Sequence, residues 1–145
     1  VNLKKFVLEL IKYMPTIFTK IIRGEIPCYK VAENESHIAF LDINPVAKGH
    51  TLVVPKREID YVFDLPDELL ADTMRFAKQV AGAIDRSFNT VRTGVIVDGR
   101  EVPHAHVHLV PIYKEGQSVS LKNKLSFSEQ EMKQIAEAIA GEAAK

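Results

Sequence analysis

The sequence predicts an α+β domain, and three observations carry that prediction. Short runs rich in valine, isoleucine and other sheet-forming residues, bounded by turn residues, recur between residues 29 and 110 and suit strands. Leu69, Thr73, Phe76, Ala77, Val80 and Ile84 recur at the spacing of one helix face. Ser128-Glu129-Gln130-Glu131 reads as a capping box that opens a last helix. Antiparallel strands with two or three helices place the chain in the α+β class.

The elements follow in order along the chain. Val1 to Tyr13 holds Lys4-Lys5 followed by Phe6-Val7-Leu8, a superficial likeness to a secretory leader. Glu9 and Lys12 interrupt the apolar stretch and no small-residue cleavage site follows, so residues 1–13 read as an upstream extension forming at most a short amphipathic helix. Ile17 to Arg23 reads as a short helix. Tyr29 to Ala32 and Ile38 to Leu41 read as strands around the turn-like Glu33-Asn34-Glu35-Ser36, which makes His37 a surface histidine at a strand start. Asn44-Pro45 and Lys48-Gly49 form the turn region before a strand at Thr51 to Val54. Pro66-Asp67-Glu68 opens the main helix, which runs to about Phe88. Val91 to Val97 is a further strand, turned by Asp98-Gly99. The polar stretch after Tyr113 leads to the last helix, ending near Gly141, whose Ile135 and Ile139 make a thin stripe suited to the surface or to a second subunit.

Composition narrows the class of protein. Lys plus Arg and Asp plus Glu both total 19, so a formal charge of zero gives no reason to expect a nucleic-acid or anionic-membrane partner. No apolar run is long enough to span a bilayer. One cysteine, Cys28, precludes an internal disulfide framework, fits a reducing cytoplasm, and reads as a small residue beside Pro27.

The strongest functional signal is His104-Ala105-His106-Val107-His108-Leu109-Val110-Pro111. In an extended strand the three histidines share one face while Ala105, Val107 and Leu109 pack on the other, with Pro103 and Pro111 marking where the strand begins and ends. Four readings compete. The row is an ordinary half-exposed strand, a metal site, a pH sensor, or a nucleophilic centre in which one imidazole attacks and its neighbours set its tautomer and handle protons. The outer pair lies roughly 13 Å apart along a strand, too far for one tetrahedral zinc.

The row resembles the signature of the histidine triad (HIT) nucleotide hydrolases and transferases, His-x-His-x-His with apolar residues between. Thr16-Ile17-Phe18-Thr19-Lys20-Ile21-Ile22-Arg23-Gly24-Glu25-Ile26-Pro27 is similar to that family's first segment. Ala39-Phe40-Leu41-Asp42-Ile43-Asn44-Pro45 and Lys48-Gly49-His50-Thr51-Leu52-Val53-Val54-Pro55-Lys56 are similar to its second. The likeness covers about residues 16 to 112, and ordered blocks are far more specific than one motif. It implies a HIT-like domain over residues 14–115, a five-stranded antiparallel sheet extended across a homodimer, and residues 116–145 as a polar linker with a C-terminal helix on the domain or on the partner.

The resemblance also implies roles. His106 would attack the α-phosphorus of a purine nucleotide such as an AMP derivative. The backbone carbonyl of His104 would hold its other nitrogen, His108 would face the phosphate or bridging atom, and His50 would brace His104. Asp42 would accept from the ribose hydroxyls; its alternative task is capping the Asn44-Pro45 turn. Phe18, Ile21, Phe40 and Ile43, with Leu41, would form the apolar slot for the base, and Gly99, Arg100, Glu101 and Val102 would border the nucleotide.

Two departures from the family pattern matter. Many members carry Gly-Gln-Ser/Thr-Val where this chain has Gly99-Arg100-Glu101-Val102, placing Glu101 beside an anionic phosphate unless it is turned away or paired with Arg100. Asp98 is a weak counterpart for the polar residue of the loop before it. Some relatives hold zinc with Cys-x-x-Cys plus two histidines that match His50 and His104; Thr16 and Thr19 stand at the cysteine positions here, so no metal and no cofactor is expected. The expected function is a hydrolase of nucleoside phosphoramidates acting through a covalent nucleotidyl-histidine. Dinucleoside polyphosphate hydrolysis and a nucleotide-binding or regulatory module with weak catalysis are the alternatives. The transferase branch, which includes galactose-1-phosphate uridylyltransferase, usually replaces the last triad histidine with glutamine, against His108.

Overall fold

The computed structural model describes residues 2–12 and 15–145. The expected boundary at Tyr13 and Met14 lies outside the described residues. In chain order the elements are α1 (Leu3–Lys12), α2 (Ile17–Ile22), β1 (Lys30–Glu33), β2 (His37–Leu41), β3 (Thr51–Pro55), α3 (Asp67–Phe88), β4 (Arg92–Ile96), β5 (Val107–Ile112) and α4 (Glu129–Ala143), with a single 3₁₀ turn at Val62–Asp64. The five strands form one antiparallel sheet in the order β1-β2-β3-β5-β4. The α+β class and the five-stranded sheet expected from the sequence are therefore present.

The two faces of the sheet do different work. Ala39, Leu41, Val53, Val107 and Leu109 point to one face and pack with Phe76, Ala77, Val80 and Ile84 of α3. The alternate residues along the same strands, paired in register as Phe40 with Leu52 and Leu52 with His108, point to the other. There Ile38, Phe40, Leu52 and Val54 pack under Phe18 of α2, and the histidine row lies beside them. β2 and β3 are buried along their whole length, as central strands covered on both faces should be.

Several elements depart from the sequence expectation. β5 does not stop before Pro111 but runs through it to Ile112. β3 pairs with β5 only as far as Thr51 with Leu109, so Pro111 has no β3 residue to bond, and its missing N–H removes nothing from the ladder. The paired part of β5 also begins only at Val107, which leaves His104 at a bend and Ala105 and His106 in the irregular approach to the strand. The last helix is not a surface adjunct. Met132, Ile135, Ala136 and Ile139 lie in the same core as α3, Ile139 with no exposed surface, because Met132 and Ala136 widen the stripe that the two isoleucines suggested. The Ser128–Glu131 capping box is formed.

His37 is the clearest correction. It is buried, its Nε2 lies 2.8 Å from Thr73 Oγ1, and its ring stacks on Phe76 at 5.3 Å. Thr73 donates its hydroxyl to the Leu69 carbonyl, so its oxygen accepts from His37. A strand-start position suggested solvent; α3 covers it instead.

Candidate active site

Register decides which histidines meet. Leu52 lies opposite His108, and Thr51 lies opposite Leu109, so His50 falls opposite Val110. Opposed residues share a face, which makes His50 a diagonal neighbour of His108. The two rings touch, His50 Nε2 standing 2.9 Å from His108 Nδ1. The expected bracing of His104 by His50 is not what forms, because six residues separate Val110 from His104, about 20 Å along a strand. His104 instead sends Nε2 to the Pro55 carbonyl at 2.8 Å. The turn that delivers His50 needs Gly49, whose φ of 88° belongs to the left-handed region and whose absent Cβ would stand 3.3 Å from Phe88.

Backbone contacts then fix the protons on the rings. The Val46 N–H donates to His50 Nδ1 at 3.1 Å, so the proton of a neutral His50 sits on Nε2 and is donated to His108 Nδ1. That leaves the proton of His108 on Nε2, aimed away from His50. His106 Nδ1 donates to the His104 carbonyl at 2.6 Å, which leaves a lone pair on His106 Nε2. Burial pulls the His50 and His108 imidazoles down to about 4, with the neighbouring histidine His106 adding to the effect at His108, so both are neutral at pH 7. Burial also lowers His104. The row therefore sets a nitrogen lone pair on His106 beside an N–H donor on His108, while the lone pair of His104 Nδ1 faces Thr16 Oγ1.

Asp42 closes this network. Its Oδ1 accepts the Asn44 N–H at 2.8 Å, the turn-capping task, while Oδ2 lies 3.6 Å from His50 Nε2. Burial raises its carboxyl above the ordinary carboxylate range, against the lowering effect of the Asn44 N–H. Asp42, His50 and His108 are close enough together to suggest a metal site. The protonation pattern argues against one, since a His50 that accepts at Nδ1 carries its proton on Nε2, the nitrogen a metal would need. Thr16 Oγ1 lies 3.5 Å from His104 Nδ1 and 3.4 Å from Thr19 Oγ1, while both nitrogens of His50 are engaged elsewhere, so the zinc positions of some relatives hold no thiolate and no free His50 nitrogen.

Two cavities meet at the row. The first, about 250 Å³, is an apolar slot lined by Phe18, Ile21, Phe40, Ile43, Leu52 and Val102, with Asp42 at its edge; Leu41 also borders it. The second, about 480 Å³, is bordered by Asp98, Gly99, Arg100, Ser120 and Lys122. Glu101, His106 and His108 line both. Of the residues named from sequence, Gly99 and Arg100 thus belong to the polar cleft, whereas Val102 belongs to the slot. Arg100 does not pair with Glu101. It holds Asp98 through Nε at 2.7 Å, and Glu101 faces Lys124 at 3.5 Å. Cys28 and Leu52 in the slot, and Val119 to Lys122 in the cleft, carried no functional signal in the sequence. Cys28 had read as a spacer beside Pro27, and the polar stretch after Tyr113 has no periodicity to place it.

The family model of the HIT domain matches residues 23–115. The chain is 43% identical over 96 residues to a Saccharomyces cerevisiae protein named adenosine 5′-monophosphoramidase, a match covering 66% of this chain and 61% of that one. It is 43% identical to the protein named Hit of Bacillus subtilis, covering 69% of this chain and 72% of the relative. Among solved structures, a Hit-like protein of Bartonella henselae, described as involved in cell-cycle regulation and crystallised with an unknown ligand, superposes with a TM-score of 0.78 at 30% identity, covering 88% of this chain and 95% of that one.

Proposed function

The chain belongs to the HIT domain family, and on that premise we propose that it is a nucleotide hydrolase that cleaves the α-phosphate linkage of nucleoside phosphoramidates through a covalent intermediate on His106. The observation that carries this reading is the 2.6 Å contact between His106 Nδ1 and the His104 carbonyl, which turns Nε2, the nitrogen left to attack, toward the junction of slot and cleft. The yeast relative's name supports the phosphoramidate over other linkages.

In the proposed reaction the purine occupies the slot between Phe18, Ile21, Phe40 and Ile43, and Asp42 Oδ2 accepts from a ribose hydroxyl. His106 Nε2 bonds to the α-phosphorus as the bond from phosphorus to the amine breaks; His108 Nε2–H hydrogen-bonds to the departing nitrogen, which takes its proton from solvent in the open cleft. Water then attacks the nucleotidyl-histidine, its hydroxyl going to phosphorus and its proton to solvent, which restores His106 and releases AMP. The chain acts as a homodimer in the cytoplasm, where nucleotides are held and the Cys28 thiol stays reduced; export of the full chain on cell fractionation would contradict the location.

The test compares wild type with His106→Ala on an adenosine phosphoramidate, a diadenosine polyphosphate and AMP, following turnover and binding. Loss of turnover by a factor on the order of 10³ or more, with AMP still bound, is the expected outcome. Turnover that survives in His106→Ala would falsify the nucleophile assignment. Binding without turnover in wild type makes the protein a nucleotide-binding module, and preference for the polyphosphate makes it a polyphosphate hydrolase.

A further inference from the structure

The nucleoside takes the apolar slot, so whatever departs from phosphorus has the second cleft to itself. Its 480 Å³ holds on the order of fifteen waters, far more room than a bare ammonia needs and enough for an amino acid or a second phosphorylated group. One wall is the segment Val119 to Lys122, and that wall is built in advance. Gln117 anchors its start, accepting from the Tyr113 N–H and donating to the Pro111 carbonyl, both at 2.8 Å. Its far end is tied where Leu125 N donates to the Pro45 carbonyl at 2.6 Å, and Asn123 Nδ2 bridges back to Ser118 Oγ at 2.8 Å.

The two anions and two cations that line this cleft, Asp98 and Glu101 with Arg100 and Lys122, do not all pair with one another. Arg100 is taken by Asp98 in a two-pronged pair at 2.7 and 2.8 Å, and Glu101 is matched by Lys124 at 3.5 Å. Lys122 lines the cleft, is exposed, and makes no ion pair with a described residue. A substrate entering the cleft thus meets one uncompensated cation, in a partly enclosed space where solvent screens it less than on open surface. Resting on the hydrolase reading above, we infer that this chain prefers substrates whose leaving group carries an anion, a carboxylate or a phosphate, and that Lys122 is the residue that reads it.

The experiment uses adenosine 5′-phosphoramidates of matched alkylamines ending in a methyl, a carboxylate, a phosphate or an ammonium group, on the full chain. A carboxylate or phosphate end raises kcat/KM about fivefold over the methyl end. Lys122→Ala collapses that ratio toward one, Lys122→Glu inverts it in favour of the ammonium end, and Lys133→Ala on α4 keeps it. Whichever anion ranks first tells an amino-acid-like leaving group from a phosphorylated one. Equal rates for methyl and anionic ends, or a wild type fastest with the ammonium end, overturn the inference. Dissociation constants of the same four compounds on His106→Ala, measured by calorimetry, must follow the same order and lose it when Lys122→Ala is added. This second readout judges the role of Lys122 even where no compound is hydrolysed and the hydrolase reading itself fails.

Discussion

The donor on His108 exists because His50 puts it there. The Val46 N–H fixes His50, His50 fixes His108, and a proton added to His108 Nδ1 would set two N–H groups against each other across 2.9 Å. His50 touches no reacting atom in this scheme; it is a positioning residue. His50→Ala is therefore expected to lower kcat by roughly 10²-fold while leaving KM for the nucleotide little changed. The acid limb of the pH–rate profile also moves up, because water reaching His108 relieves the burial that holds it near 4. His50→Asn, which keeps an N–H donor at that place, recovers part of the loss. An unshifted acid limb in His50→Ala would sink the positioning role, since a merely structural contact has no reason to move it. Alternation along residues 104–108 was enough to put three imidazoles on one face. Which histidine braces which was not legible, because that depends on the β3–β5 register, and the burial of His37 depends on Thr73 and Phe76 of a helix far along the chain.

At the scale of elements, periodicity and caps were informative wherever one element's own residues determine it. The bounds expected for the main helix and the capping box at Ser128 match α3 and α4, while the place of α4 in the core needed Met132 and Ala136, which a two-residue stripe did not reveal. The segment between β5 and α4 was illegible for a different reason: the Gln117 side chain and a backbone bond from Leu125 to the distant Pro45 hold it, not any pattern of its own. β4 raises the matter of assembly. It is an edge of the sheet; Val95 within it is 50% exposed, and Val91 and Val97 at its two ends are 54% and 41% exposed. A valine-lined edge with unpaired backbone groups is a template for another strand, and pairing with its own copy about a two-fold axis closes the edge symmetrically. Light scattering on the wild type at micromolar concentration should give twice the chain mass, and Val95→Lys should give the single mass with unchanged circular dichroism. A monomeric wild type, or a dimer indifferent to Val95→Lys, would show that β4 is not the joint.

For the molecule as a whole, the histidines tie function to stability. All five are buried, His37, His50 and His104 with 1% of their surface exposed and His106 and His108 with 3%. Burial lowers the pKa of His37, His50, His104 and His108, the second and last to about 4. In the unfolded chain an imidazole titrates near 6.5, so between that value and the folded one the unfolded state binds more protons and acid favours it. Stability is complete above about pH 6.5 and drains away as pH falls toward 4, at no more than about 1.4 kcal/mol per pH unit for each group. Asp42 works with the opposite sign, its raised carboxyl taking a proton more readily in the fold, but one carboxyl starting from 3.8 opposes four imidazoles that titrate first. The carboxylates of Glu33 and Glu142, lowered by their lysine and arginine partners, lose their contribution only at still lower pH. The interval from about pH 7 to about pH 5 therefore isolates the histidines, and a loss on the order of 3 kcal/mol there lowers the urea midpoint by about 1–2 M with the slope unchanged. His37→Phe, which fills the place beside Phe76 without a titrating ring, should flatten part of that dependence while leaving nucleotide turnover intact, since His37 lies on the α3 side of the sheet. A midpoint that holds steady across the interval would mean that these four imidazoles take up protons in the fold as they do in the unfolded chain, and the burial-lowered His50–His108 pair would fall with it.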